Sequence, residues 1–439
     1  MPENRQPGRL TKWLASMPTP VFMAFAMASA FSTYFCMYAF RKPFSAAEYE
    51  GLLFLGTKVE LKTAFVISQI VGYTLSKVIG IKVCSEVSRG KRTPMLVAMI
   101  FAAQLTLLLF AAAPDNLKVV AIFFNGMSLG MVWGMVVWYL EGRRMSEMLL
   151  AGLSCSFIIA SGVVKDIGVG LMDEHSVDQF WMPFATGLIF LPPFLLSVWL
   201  LNQIPQPTDE DVQARVKRRT MDSSQRWRFI RQFLPGLVML LVAYFFLTAY
   251  RDFRDSFGKE IFEQLGYGGK PAIFTRCELW VAFGVVAALA MLNLIKSNRW
   301  GLIGAFAIMT AGAAMMGVGT LLFDAQRIGG LTWMVLCGLG SYLAYVPYGT
   351  VLFERLIAST RTVGTAVFAI YVADSIGYSG SITVMLSKDV LAGDVSRLEF
   401  FRYLTYFMSV LGVVLLIASC VYFLLFHDMK QDNVQEDTI

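Results

Sequence analysis

Long apolar segments, each about as long as a bilayer is thick, decide what this chain can become. Twelve run roughly over residues 20–40, 61–83, 95–113, 118–140, 149–171, 181–202, 234–252, 273–295, 300–323, 329–350, 363–387 and 402–426. About 20 apolar residues cross the hydrocarbon as a helix. Inside lipid such a segment must satisfy its own backbone N–H and C=O groups, which a helix does. The expected fold class is an all-α membrane protein with twelve transmembrane helices. Composition agrees: 56% of the chain is hydrophobic and 15% charged, against about 25% charged in soluble domains.

One polar stretch is long enough to be a linker, from about Asn202 to Gln232. It divides the chain into residues 1–202, a cytoplasmic linker 203–232, and residues 233–439. With the N-terminus inside, the cytoplasmic set of loops gathers Arg5, Arg9 and Lys12, then Arg89, Lys91 and Arg92, then Arg143 and Arg144, and the basic linker. That asymmetry places both termini in the cytoplasm and the chain as a multi-pass protein of the cell (inner) membrane. No secretory signal peptide is expected, since the basic N-terminus leads into a full-length span. The net charge of +6 is spread over short loops, so it does not indicate nucleic acid.

The two parts repeat one another. Tyr34-Phe35-Cys36-Met37-Tyr38-Ala39-Phe40-Arg41-Lys42 closes the first span. Tyr244-Phe245-Phe246-Leu247-Thr248-Ala249-Tyr250-Arg251-Asp252 closes the seventh, 210 positions later. Span 4 ends in Trp138-Tyr139-Leu140-Glu141-Gly142-Arg143-Arg144, and span 10 in Val351-Leu352-Phe353-Glu354-Arg355. Span 5 carries Lys165-Asp166-Ile167-Gly168, and span 11 carries Asp374-Ser375-Ile376-Gly377. The matches predict two pseudo-symmetric six-helix halves. That is the plan of the major facilitator fold, whose halves are parallel repeats about an axis along the membrane normal.

Arg41 and Arg251 are the first candidates for a site. A guanidinium is a planar fork of donors that fits phosphate or carboxylate oxygens and stays charged at any relevant pH. Two forks, one from each half, would grip a dianion. The competing reading is that both mark span ends and snorkel to the interface. Lys77 lies deep in span 2, where a lysine is costly unless partnered or functional. Asp374, the deep acid of span 11, is a candidate partner for it. Lys165 and Asp166 in span 5 and Arg276 and Glu278 at the start of span 8 sit at similar depth. They are expected to form a gating or coupling cluster, or else a static packing bridge. Asp252, Arg254 and Asp255 read as a solvated outer face. Tyr38, Tyr73, Trp133, Trp138, Tyr342, Tyr345 and Tyr348 read mainly as packing or interface anchors.

Chemistry of other kinds leaves no trace. The cysteines Cys36, Cys84, Cys155, Cys277, Cys337 and Cys420 show no metal-type spacing, and reduced thiols are expected. His175 and His427 are too far apart in topology to share a metal. There is no glycine-rich phosphate loop and no Ser/His/Asp set. Neither catalysis, a cofactor nor a metal is expected.

Arg41-Lys42-Pro43-Phe44-Ser45 after an aromatic first span, followed by Ser76-Lys77 in span 2, resembles the organophosphate:phosphate antiporters. These include the glycerol-phosphate, hexose-phosphate and endoplasmic-reticulum sugar-phosphate exchangers. The resemblance is strongest over about residues 30–80. It implies that Arg41 and Arg251 bind phosphate and that Lys77 assists. The span-5 histidine of that family has no counterpart between Gly152 and Gly162, and Lys165 stands further along. The chain also resembles an uncharacterised bacterial facilitator-like family.

The expected function is secondary transport of an organic anion, a phosphorylated metabolite, by alternating access, with exchange for phosphate as the implied coupling. Arg41, Arg251, Lys77 and Tyr38 are the expected substrate-binding residues, and the protein is expected to work as a monomer in the lipid bilayer. Two alternatives stand: a facilitator-fold membrane sensor of a phosphorylated ligand, and a proton-coupled transporter of a neutral or cationic solute with Asp166 and Asp374 titrating.

Overall fold

The computed structural model describes residues 8–140, 143, 146–207, 227, 230–360 and 366–436. Most of the linker expected over 203–232 lies outside the described residues, as do Glu141, Gly142, Arg144 and Arg361. Among the described residues no strand forms, and the one isolated bridge joins Leu53 and Glu60.

The twelve long apolar segments become helices α1 to α12. They are α1 (Thr19–Tyr38), α2 (Leu61–Glu86), α3 (Arg89–Ala112), α4 (Asp115–Leu129, resumed as Val132–Leu140), α5 (Ser146–Asp173) and α6 (Met182–Asn202). The second set is α7 (Leu234–Ser256), α8 (Ile273–Asn293), α9 (Asn298–Asp324), α10 (Gly330–Pro347), α11 (Ala366–Leu391) and α12 (Arg397–Glu436). A π-helical turn, Tyr348–Leu352, continues α10 into a further helix, Phe353–Thr360. Among the described residues, eleven segments are long and apolar enough to cross a membrane. Helix α11 matches them in length, with 26 residues, but Asp374, Ser375, Ser379 and Ser381 make it more polar.

The chain divides into two units. One comprises Met1–Val216 with Tyr267–Leu279, and the other Lys217–Gly266 with Trp280–Ile439. In the first, a Cβ on Gly126 would run into the Gln69 carbonyl and one on Gly72 into the Phe123 carbonyl, so glycine lets α2 and α4 touch backbone to backbone. In the second, a Cβ on Gly312 would lie 2.6 Å from the Gly340 carbonyl, and α9 and α10 meet in the same way. Close approach of this kind replaces the hydrophobic drive that helices lack in lipid.

Candidate functional site

In the first unit, a buried amide relay fixes the end of α1. Asn125 of α4 is wholly buried. Its Nδ2 donates to the Phe40 carbonyl at 3.0 Å, and its Oδ1 accepts Gln69 Nε2 from α2 at 2.9 Å. Gln69 Nε2 also donates to the Arg41 carbonyl at 2.9 Å. Two carbonyls just past the helix end thereby gain side-chain donors, as the orphan groups of a buried helix terminus require. Arg41 is held by its backbone, and its guanidinium lies 4.1 Å from the centroid of Tyr73 and 5.7 Å from that of Tyr38.

Lys77 Nζ reaches the same Tyr73 ring at 5.3 Å. Two cations thus approach one buried aromatic ring, and each gains from its quadrupole. Tyr38 packs edge-on against Tyr34 with centroids 5.6 Å apart, and Tyr34 packs on Trp133 of α4 at 4.8 Å. Of the expected substrate residues, Arg41 and Lys77 therefore come together at Tyr73, and Tyr38 lies near Arg41.

Asp166 of α5 lies against the opening turn of α8. Its Oδ1 accepts the Phe274 N–H at 3.2 Å, while Oδ2 accepts the Thr275 N–H at 2.6 Å and the Thr275 hydroxyl. First-turn N–H groups have no partner within their own helix, and an anion there also meets the positive end of the helix dipole. Asp166 acts as a cap donated from another helix. Gly162, one turn earlier, allows this approach: a Cβ there would stand 2.9 Å from the Phe274 carbonyl and 3.1 Å from Glu278 Cγ. Lys165 is buried, with Nζ 5.8 Å from the Phe274 ring centroid. Arg276 is exposed. The structure brings Asp166 to backbone and hydroxyl donors, and Glu278 beside Gly162.

In the second unit, Arg251 lies 3.9 Å over Tyr345 of α10 and bonds Asp252 Oδ1 through Nη2 at 2.8 Å and Nε at 3.3 Å. Asp252 Oδ2 accepts the Ser381 hydroxyl of α11 at 2.7 Å. Arg254 is buried and donates from Nη2 to the Met334 carbonyl at 3.1 Å. The solvated outer face expected of Asp252 and Arg254 is thus corrected. Both belong to the packed end of α7, because α10 and α11 supply their polar partners. Tyr244 donates to Asp374 Oδ1 at 2.7 Å and stacks on Tyr345 with centroids 5.2 Å apart. Arg251, Tyr345, Tyr244 and Asp374 form a continuous chain of contacts.

The repeat is visible in these contacts. Tyr34 meets Trp133 in one unit, and Tyr244 meets Tyr345 in the other. Sequence reasoning overlooked Gln69 and Asn125 as site-supporting residues. The available signal was an uncharged amide inside each of two apolar spans, since such groups demand hydrogen-bond partners there.

Residues 43–425 match the family described as a family of unknown function, DUF5690. The chain belongs to that family. No curated protein matches it. Among solved structures it is similar to a D-xylose-proton symporter, with 13% identity, a TM-score of 0.62, and coverage of 90% of this chain and 96% of the other. It is also similar to the nucleoside transporter NupG, with 12% identity, a TM-score of 0.60, and coverage of 92% and 98%. At these identities the likeness concerns the fold, and the major facilitator-type fold read from the repeat is the fold of this DUF5690 protein.

Proposed function

We propose that the chain is a secondary transporter that moves an organic anion, a phosphorylated metabolite, by alternating access in exchange for phosphate. Arg41, Lys77, Tyr38 and Arg251 are its anion-binding residues, and Lys165, Asp166, Arg276, Glu278 and Asp374 its gating or coupling residues. It acts as a monomer in the cell membrane with both termini cytoplasmic. One observation carries the reading: Arg41 and Lys77 share the Tyr73 ring at 4.1 and 5.3 Å, in a stretch otherwise made of apolar spans. Two cations concentrated away from bulk water favour an anion that takes a fork and a point charge together. The transporter-type fold supports the reading.

The test is a thermal-shift screen of the purified protein against phosphate, sugar phosphates, glycerol phosphate, nucleotides and carboxylates, followed by uptake in proteoliposomes. Arg41→Gln and Arg251→Gln are each expected to abolish anion uptake while still reaching the membrane. Normal transport by either variant returns that arginine to a snorkelling role.

The Tyr244–Asp374 hydrogen bond favours a second reading, because it places a carboxylate two tyrosine rings from Arg251. On that reading the chain is a proton-coupled transporter of a neutral or cationic solute, with Asp166 and Asp374 as its coupling residues. Uptake that collapses with the proton gradient and ignores internal phosphate selects it.

A further inference from the structure

Helix α9 ends at Asp324, and the chain then turns through Gln326, whose φ is +56°. Gln326, Arg327 and Asp324, together with Arg402 from the first turns of α12, line a cavity of about 500 Å³. That volume is in the range of small-molecule sites, roughly 300–1,000 Å³. Asp324 is shared: Oδ1 pairs with Arg402 Nη2 at 2.6 Å, and Oδ2 accepts the Tyr406 hydroxyl at 2.7 Å. These bonds orient the Arg402 fork without exhausting its five donors. Arg327 is exposed beside it. Two arginines and one carboxylate line the cavity, a formal charge of +1.

The surface leading away from this cavity is apolar. On α12, Tyr403, Phe407, Val410 and Val414 are 61%, 47%, 67% and 58% exposed, and their spacing puts them on one face. On α9, Val318 and Leu321 are 55% and 59% exposed. Both helices are long and apolar enough to cross a membrane, and in a bilayer these exposed faces would meet lipid chains. Leu321 lies one turn before Asp324, and Tyr403 directly follows Arg402 and donates its hydroxyl to Glu399 at 3.0 Å.

We propose that this cavity at the α9–α10 turn binds the phosphodiester of an anionic glycerophospholipid, whose acyl chains lie along the exposed faces of α9 and α12. The arginine forks match phosphate oxygens in pairs. A single negative headgroup charge balances the cavity's net charge. Asp324 acts by holding Arg402. The site is separate from the residues assigned to transport, and its test leaves that assignment untouched.

The experiment is native mass spectrometry of the purified full chain in detergent, titrated with phosphatidylglycerol or phosphatidylcholine, with and without inorganic phosphate as competitor. The parent is expected to retain one phosphatidylglycerol preferentially. Arg327→Gln, at an exposed position, is expected to weaken that binding about tenfold, the size of one lost charge-assisted contact. Arg402→Gln should weaken it at least as much. If Arg402→Gln fails to fold, Arg327→Gln alone decides. Equal retention by parent and Arg327→Gln, or no preference over phosphatidylcholine, overturns the proposal. Displacement of the lipid by millimolar inorganic phosphate also overturns it, assigning the cavity to a soluble anion.

Discussion

Asp252→Asn should loosen the protein and tighten its hold on phosphate at the same time. Asp252 Oδ1 lies 2.8 Å from Arg251 Nη2, and the two side chains are only 12% and 16% exposed. At that distance two unit charges attract by about 6 kcal/mol with an effective dielectric constant of about 20. Desolvation cancels much of this, and removing one partner of a buried pair typically costs about 3–5 kcal/mol. Asparagine keeps an acceptor for the Ser381 hydroxyl, so a loss near 3 kcal/mol is expected. The vacated guanidinium then offers its fork to an entering anion. One charge-assisted contact is worth about 1.5–3 kcal/mol, a roughly ten- to hundred-fold gain in affinity. The ligand-free variant should therefore melt below the parent, and saturating phosphate should narrow the gap by about 1.4 kcal/mol for each tenfold gain. Thermal unfolding across a phosphate series, with calorimetric titration of the folded variant, measures both signs. A folded Asp252→Asn protein that binds phosphate no better than the parent refutes the anion role of Arg251.

Asn125→Leu removes four hydrogen bonds of 2.9 to 3.4 Å. At about 0.6 kcal/mol for each bond within a membrane, stability should fall by roughly 2 kcal/mol in detergent unfolding, and an unchanged midpoint would sink the relay. Thr275→Val deletes one of the three bonds to Asp166, whereas Asp166→Ala deletes all three. The first should cost about 1 kcal/mol and the second at least twice that, so equal losses would remove Asp166 from its capping role. Cysteine labelling at Ser223 should succeed only from the cytoplasmic side, because basic residues collect in that linker.

The fold was legible in the sequence through two signals. A segment that crosses hydrocarbon must be long and apolar, and the like register of Arg41 and Arg251 divides the spans six and six. Candidate site residues could be named from the sequence by type, but not the partners they meet. Lys165 or Asp166 was expected to meet Arg276 or Glu278; the Asp166 carboxylate takes the Thr275 hydroxyl and two backbone N–H groups, which every residue except proline carries and no sequence pattern marks. Asp252 and Arg254 looked solvated because three charged residues follow one another closely after a span. Ser381 lies 129 positions from Asp252, and Met334 answers Arg254 with a backbone carbonyl. Gln69 and Asn125 were visible as amides in apolar spans, but their common target, the backbone around Arg41, exists only after folding.

The π-helical turn Tyr348–Leu352 falls where the sequence repeat goes out of step. Trp133 and Tyr345 occupy matching places by their contacts with Tyr34 and Tyr244. Glu141 and Glu354 match in the sequence repeat. Eight positions separate Trp133 from Glu141, and nine separate Tyr345 from Glu354. The second copy thus holds one residue more within this interval, and the π turn falls inside it. A π turn is how an α-helix takes in a single inserted residue while the helix resumes on either side. Tyr345 stacks on Tyr244 on the near side of that turn, and Glu354 lies in the first turn of the helix that resumes beyond it. The wider turn takes up the extra residue locally, so the helix before it keeps Tyr345 under Arg251 while the helix beyond it starts afresh at Phe353.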